Sequence, residues 1–238
     1  MAGHSKWANI KHRKERADKK KGKIFSRITK EIISAVKQGG PDQKSNAKLK
    51  LAVQKAKAAN LPNDNIERNI KKAASADQQD YLEMTYELYG YGGVGILVEA
   101  MTDNKNRTAS DMRIATNKCG GNIANPGAVA YNFERKGVFR FTKEMEEEKL
   151  FELVTELGAE DFNVTDDEYI VLTTVEDFIS IEQALKERGI AFEEAGLEMV
   201  PKTFTTCSGE DIEKNAKLIE WLEDIDDADA VYHNMSMS

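Results

Sequence analysis

The chain has 238 residues, 40% apolar and 32% charged, with only four prolines and two cysteines. That length fits one to three folded domains and excludes a miniprotein held together by disulfides. The formal charge of −7 hides a polarity: residues 1–79 hold 20 Lys and Arg against 7 Asp and Glu, net +13, and residues 80–238 hold 14 against 34, net −20. Such asymmetry points to a polyanionic partner for the basic end and a solvated, self-repelling surface for the acidic one.

From Ile24 the apolar residues Phe25, Ile28, Ile32, Ala35 and Val36 recur at helical spacing, and Gly39-Gly40-Pro41 ends the run. A second helix follows Asp42 to Ser45, with Leu49, Ala52, Val53 and Ala56 as a narrow stripe between Lys48, Lys50, Lys55 and Lys57. A third opens at Asp64-x-x-Glu67, a capping-box pattern, and carries Ile66, Ile70 and Ala73. Three short amphipathic helices predict a small bundle with a thin, alanine-rich core. Beyond residue 79 the period changes. Tyr81 to Tyr89, a glycine turn and Val94 to Met101 read as a β-hairpin, and Asp103 is the expected cap of a helix to about Lys118. Residues 120–127 read as loop.

From Gly137 the expected order is strand (138–142), helix (144–157), strand (161–165), strand (169–173), helix (176–188) and strand (191–200). That is β-α-β-β-α-β, the ferredoxin-like unit. The remaining helix (210–223) and strand (230–233) are too small to fold alone. The predicted fold class is therefore α+β multidomain, in three parts. Residues 1–79 form a basic three-helix bundle, 80–134 plus 203–238 a discontinuous middle α+β domain, and 135–202 an inserted ferredoxin-like domain.

No run reaches the roughly 18 apolar residues of a membrane helix. The longest uncharged stretch, Cys119 to Phe133, is interrupted by Gly120, Gly121, Asn122, Asn125, Pro126 and Gly127. The opening MAGHSKWANIKHRKERADKKK lacks an apolar targeting core and contains Glu15 and Asp18, so the cytoplasm is the expected compartment. Cys119 and Cys207 have no CxxC spacing and are expected as reduced thiols.

The strongest candidate for function is the basic segment. Lys6, Lys11, His12, Arg13, Lys14, Arg16, Lys19, Lys20 and Lys23 can meet several phosphates, and Trp7 can stack on an exposed base. The alternative reading is a solvated segment with Trp7 packed on the bundle. Thr102 to Thr108 combines helix-start residues with Lys105 and Arg107, which offers an anion site or simply a helix cap; Arg107 is the outlying candidate contact. The glycine-rich Tyr89-Gly-Tyr-Gly-Gly-Val-Gly95 leads into a strand rather than a helix, which argues for a hairpin turn against a phosphate cradle. Phe139, Phe141 and Tyr169 are the rings that a base-stacking sheet would use. The acidic runs Glu146–Glu148, Asp166–Glu168 and Glu193–Glu194 repel phosphate, so core packing or protein contact is the expected use of those rings.

Catalytic chemistry has no foothold in the pattern. His4, His12 and His233 lack metal-site spacing, and GxSxG, HExxH and GxxxxGKS are absent. No catalytic residue, metal, cofactor, small-molecule substrate or membrane partner is expected. The competing classes are a protein-interaction scaffold whose basic end is incidental and, less directly, a dehydrogenase or hydrolase.

The opening Met-Ala-Gly-His-Ser-Lys-Trp-Ala-Asn-Ile-Lys-His-Arg-Lys, Asp18-x-x-Lys21-Gly-Lys-Ile24 and Ala59-Asn-Leu-Pro-Asn-Asp-Asn-Ile-Glu-Arg68 resemble the YebC/PmpR family. So do Tyr86-Glu-Leu-Tyr-Gly-Tyr-Gly-Gly-Val-Gly95, Thr102-Asp-Asn-Lys-Asn-Arg-Thr108 and Gly120-Gly-Asn122. The resemblance runs over essentially the whole chain, and in the acidic second half it rests on element order. It implies the same three domains and a cytoplasmic, non-enzymatic regulator that binds promoter DNA. Mitochondrial relatives are translational activators of cytochrome oxidase subunit I, and bacterial members have been placed on the ribosome. The resemblance therefore leaves two nucleic-acid partners, promoter DNA for a transcriptional regulator and ribosomal RNA for a translation factor. The acidic domains are expected to face solvent or a protein partner.

Overall fold

The computed structural model describes residues 17–75 and 80–236, with side chains from residue 22 onward except that of Ala58. Helix α1 (Ala17–Gly39) begins seven residues before the first apolar residue of its stripe. Lysine is a good helix former, so the charged Ala17–Lys23 turns need no buried face to continue the helix. Ile28, Ile32, Ile33, Ala35 and Val36 of α1 pack on Leu49, Ala52, Val53 and Ala56 of α2 (Ala47–Ala58) and on Ile66 and Ala73 of α3 (Asn63–Ala73). Asn46 ties the first two helices together. Its Oδ1 accepts from Leu49 N at 3.0 Å, and its Nδ2 donates to Ala35 O at 2.7 Å and Gly40 O at 2.9 Å. The expected capping box at Asp64 and Glu67 does not form. Pro62 is the N-cap residue of α3, so Asp64 lies inside the first turn and no side chain caps the helix. A proline there fixes the entry of the chain and starts the helix directly.

The hairpin is β1 (Leu82–Tyr89) and β2 (Gly95–Thr102), joined by a 3-10 turn at Tyr91–Gly93. Asn104, rather than Asp103, caps α4 (Lys105–Cys119): its side chain accepts from Asn106 N and Arg107 N, each at 3.1 Å. The short strand β3 (Asn122–Ile123), read as loop from the sequence, pairs with the end of β1. Then follow β4 (Phe133–Thr142), α5 (Glu147–Glu156), β5 (Asp161–Val164), β6 (Glu168–Thr173), α6 (Phe178–Glu187) and β7 (Glu194–Pro201). The chain closes with β8 (Thr205–Thr206), α7 (Gly209–Asp224), β9 (Ala228–His233) and β10 (Met235–Ser236).

Two four-stranded antiparallel sheets result, ordered β3-β1-β2-β9 and β5-β6-β4-β7, with β8 and β10 as a parallel pair. Strand β2 is buried on both faces. Ile96 and Val98 meet Met112, Ala115, Leu218 and Leu222 of α4 and α7, while Leu97 packs with Val129, Phe133 and Tyr232 on the other side. Each such side chain contributes about 1.5–3 kcal/mol on leaving water. In the second sheet Phe139, Phe141, Tyr169 and Val171 pack on Leu150 and Val154 of α5 and Ile181 and Leu185 of α6.

Both chain crossings between the sheets meet at Asn132. Its Oδ1 accepts from Thr203 N and Thr203 Oγ1 at 3.0 and 2.7 Å, and its Nδ2 donates to Thr203 O at 2.9 Å. Strands β4 and β7 pair from Phe133↔Pro201 to Arg140↔Glu194, so β4 starts earlier than the predicted Val138. The intervening loop is braced by the Glu87 carboxylate, which accepts from Gly127 N and Val129 N at 2.6 Å and Ala130 N at 2.8 Å. Burial opposes its ionisation, but the three backbone N–H groups outweigh that and hold the carboxyl below its usual range.

Candidate nucleic-acid interface

Of the sequence-predicted contacts, Lys6, Trp7, Lys11, His12, Arg13, Lys14 and Arg16 lie outside the described residues, and so do the side chains of Lys19 and Lys20, which belong to α1. Lys23 and Arg107 are described, and both hold intramolecular partners.

Lys23, Arg27 and Lys30 recur at four and three residues and so share one side of α1. That side faces the end of α7 and the start of β9. Lys23 Nζ donates to the carbonyls of Glu223 in the last turn of α7, of Ile225 just beyond it and of Ala228 at the start of β9. Lys30 Nζ donates to Asp226 O at 3.2 Å and lies 3.7 Å from Asp229. Burial lowers the Lys23 pKa against the pull of Asp224 and Glu223. Burial likewise raises the Asp229 carboxyl, with Lys30 and Arg27 opposing it. The basic end of α1 is thus seated on the sheet-bearing part through charge and carbonyls.

Arg107, itself exposed, closes a second network around a buried carboxylate. Asp227, 4% exposed, accepts from Arg107 Nε at 3.1 Å and Nη2 at 2.8 Å, from Thr108 Oγ1 at 2.8 Å and from Thr102 Oγ1 at 3.1 Å. Asp103 holds the same guanidinium at 2.8 Å. Burial works against the Asp227 charge, yet these donors keep its carboxyl below the usual range. The Thr102–Thr108 motif therefore receives its anion from within the chain, 120 residues later.

The glycine turn is likewise occupied by the protein itself. Asn215 accepts from Tyr91 N at 2.8 Å and donates to Tyr91 O at 3.0 Å. A Cβ at Gly90 would lie 2.2 Å from Asn215 Oδ1, and one at Gly120, where φ is +83°, would lie 1.9 Å from the Tyr91 hydroxyl. Those glycines make room for neighbouring side chains. Phe139, Phe141 and Tyr169 are buried against α5 and α6, so no base reaches their faces.

Exposed cations line the outer faces of α2 and α3. Lys48 and Lys55 flank α2 toward α1, where Lys48 donates to Gln38 at 2.8 Å and Lys55 pairs with Glu31 at 2.9 Å. Lys50 and Lys57, seven residues apart, sit on the opposite flank and are exposed, as are Arg68, Lys71 and Lys72 on α3. None of these five has an ion pair with a described residue. The sequence shows that the outer faces are lysine-rich, but only the packing separates one flank from the other. In contrast, Glu146–Glu148, Asp166 and Asp167 give the second sheet an acidic exterior. Among the described residues no group of three His, Cys, Asp or Glu could hold a metal ion, and no helix is long and apolar enough to cross a membrane.

An α+β protein with one cationic helical end and an acidic remainder is the class that this arrangement defines. Residues 5–76 match the family model described as the TACO1/YebC protein N-terminal domain, and residues 81–235 that of the TACO1/YebC second and third domain. The chain belongs to the TACO1/YebC family. It is 63% identical over 238 residues to a "Probable transcriptional regulatory protein" of Protochlamydia amoebophila, covering all of this chain and 97% of that one. A protein of the same description from Chlamydia trachomatis serovar L2 is 59% identical, over 99% of this chain and 100% of the relative. The crystal structure of a conserved hypothetical protein from Aquifex aeolicus superposes with a TM-score of 0.80 at 39% identity, covering 98% of this chain and 97% of that one.

Proposed function

We propose that this protein is a non-enzymatic, cytoplasmic regulator of gene expression that grips nucleic acid through phosphate contacts at its basic helical end. The observation that carries this reading is the segregation of charge, +13 over residues 1–79 against −20 over residues 80–238. Relatives named as transcriptional regulatory proteins favour promoter DNA as the partner. Ribosomal RNA is the second reading, since the sequence carries no clear helix-turn-helix signal and phosphate contacts position a protein without reading bases.

In this reading residues 1–79 act as a three-helix bundle. Residues 80–134 with 203–238 are a middle domain that carries 135–202 as a ferredoxin-like insertion, an assignment supported by the strand order β5-β6-β4-β7. Lys6, Lys11, His12, Arg13, Lys14, Arg16, Lys19 and Lys20 are the phosphate contacts, and Trp7 stacks on an exposed base. Lys23 and Arg107 enter as positioning groups, because their charges already face carbonyls and carboxylates. The acidic domains face solvent or protein.

Crosslinking in cells, followed by sequencing of the attached nucleic acid, tests this for the intact chain beside one lacking residues 1–16. Promoter DNA lost on truncation is the expected result. Ribosomal RNA enrichment would move the role to translation, and no enrichment over a charge-matched control would overturn the reading.

A further inference from the structure

We infer that the flank of α2 bearing Lys50 and Lys57, with the outer face of α3 bearing Arg68, Lys71 and Lys72, is a second phosphate-contacting surface for nucleic acid, separate from the N-terminal segment. It rests on the nucleic-acid reading above and adds the residues and the mode of contact.

Lys23, Lys30, Arg107 and Arg140 are committed to carbonyls or carboxylates inside the fold. On α2 the same sorting runs across a single helix: Lys48 and Lys55 lean toward α1 and are held by Gln38 and Glu31. Lys50 and Lys57 stand about 160° round the axis from them at 100° per residue, on the far side of the buried Leu49, Ala52, Val53 and Ala56 stripe. Two turns of helix separate this pair, so the two ammonium groups lie roughly 10 Å apart along one edge. On α3 the buried Ile66 and Ala73 put Arg68, Lys71 and Lys72 on the opposite side, in solvent.

Between Lys44 and Ala73 the chain holds eight Lys and Arg against Asp64 and Glu67 as the only carboxylates. A row of exposed ammonium and guanidinium groups with no ion pair among the described residues is complementary to a phosphodiester backbone. Lysine contacts of this kind place the protein on the polymer without selecting bases. The occupant is a nucleic-acid backbone, DNA or RNA; an acidic protein surface is the alternative that the test separates.

The test compares two variants with the same loss of charge. Lys50→Gln with Lys57→Gln removes the solvent-facing pair, and Lys48→Gln with Lys55→Gln removes the pair held by α1. Binding of the full chain to duplex DNA and to a structured ribosomal RNA fragment is measured across salt concentrations. The first variant is expected to flatten the log–log salt slope on duplex DNA by about 1.8, roughly 0.9 for each lost contact, and the second to leave it unchanged. Arg68→Gln, Lys71→Gln and Lys72→Gln together are expected to flatten it further. The nucleic acid with the larger change identifies the source of the phosphates. Equal slopes for the two pair variants would show a diffuse charge effect and overturn the inference while leaving the nucleic-acid reading standing. Retained wild-type slopes in every variant would do the same. Failure of the wild type to bind either polymer would overturn both. Thermal unfolding of each variant verifies the fold, and the single substitutions Lys50→Gln and Lys48→Gln give the same comparison should a double variant not fold.

Discussion

Four arginines of the sheet-bearing remainder and the outer faces of α2 and α3 use cations in opposite ways. In the sheet-bearing part Arg107, Arg135, Arg140 and Arg188 are each held by carboxylates, namely Asp227 and Asp103, Glu99, Glu198, and Glu156. On α2 and α3, Lys50, Lys57, Arg68, Lys71 and Lys72 face solvent. The same residue types pair with carboxylates at these four positions and stand open to solvent at those five. Charge counts along the chain therefore mark where a polyanion binds only after the cations consumed by the fold are set aside.

The largest effect should come from orphaning one of these paired arginines. Arg140 is 4% exposed and bound by both Glu198 oxygens at 2.9 Å, with Glu194 at 3.9 Å. Glu198→Ala leaves a buried guanidinium short of its partner and is expected to cost about 3 kcal/mol in urea unfolding. A loss below about 1 kcal/mol would mean that the sheet does not depend on its paired cations, and the contrast between regions would collapse. Asp227→Asn comes next, at about 2 kcal/mol, because Arg107, Thr102 and Thr108 all donate to that carboxylate.

Acid sharpens the same contrast. The folded pKa values of Asp227 and Glu87 are depressed, so their stabilisation is fully present above the usual carboxylate range and is lost as pH falls through the folded values. The expected outcome is an acid-side loss of stability, read by circular dichroism, that shrinks in Asp227→Asn and in Glu87→Gln. An unchanged acid limb in both variants would remove these carboxylates from the account. The smallest effect belongs to the surface: Lys55→Gln breaks an exposed pair with Glu31 and is expected to change stability by about 0.5 kcal/mol or less.

The sequence made the regular elements legible wherever a stripe repeats. Ile28, Ile32 and Val36 mark α1, and the order strand, helix, strand, strand, helix, strand runs from β4 to β7 as the alternation of Val138 to Val200 indicates. The two-residue strands β3, β8 and β10 escape because so short a segment carries no period. Asn104 and Asp103 are equivalent caps by residue type, and only the bond to Asn106 N and Arg107 N decides between them. The partners of Lys23 and Arg107 lie 200 and 120 residues away, so nothing in their local sequence distinguishes a cation held within the chain from a phosphate contact. Lys50 and Lys48 differ by two positions, yet helical geometry turns them to opposite flanks; the residues are visible in the sequence, and the flank that α1 covers is not.

The most direct test of the central claim is to crosslink the intact protein to bound nucleic acid and map the attached residues by mass spectrometry. Crosslinks within residues 1–73, and on α2 at Lys50 or Lys57 ahead of Lys48 or Lys55, are the expected result. Crosslinks concentrated in residues 135–202 would contradict the account, because they would place the polyanion on the acidic part of the molecule.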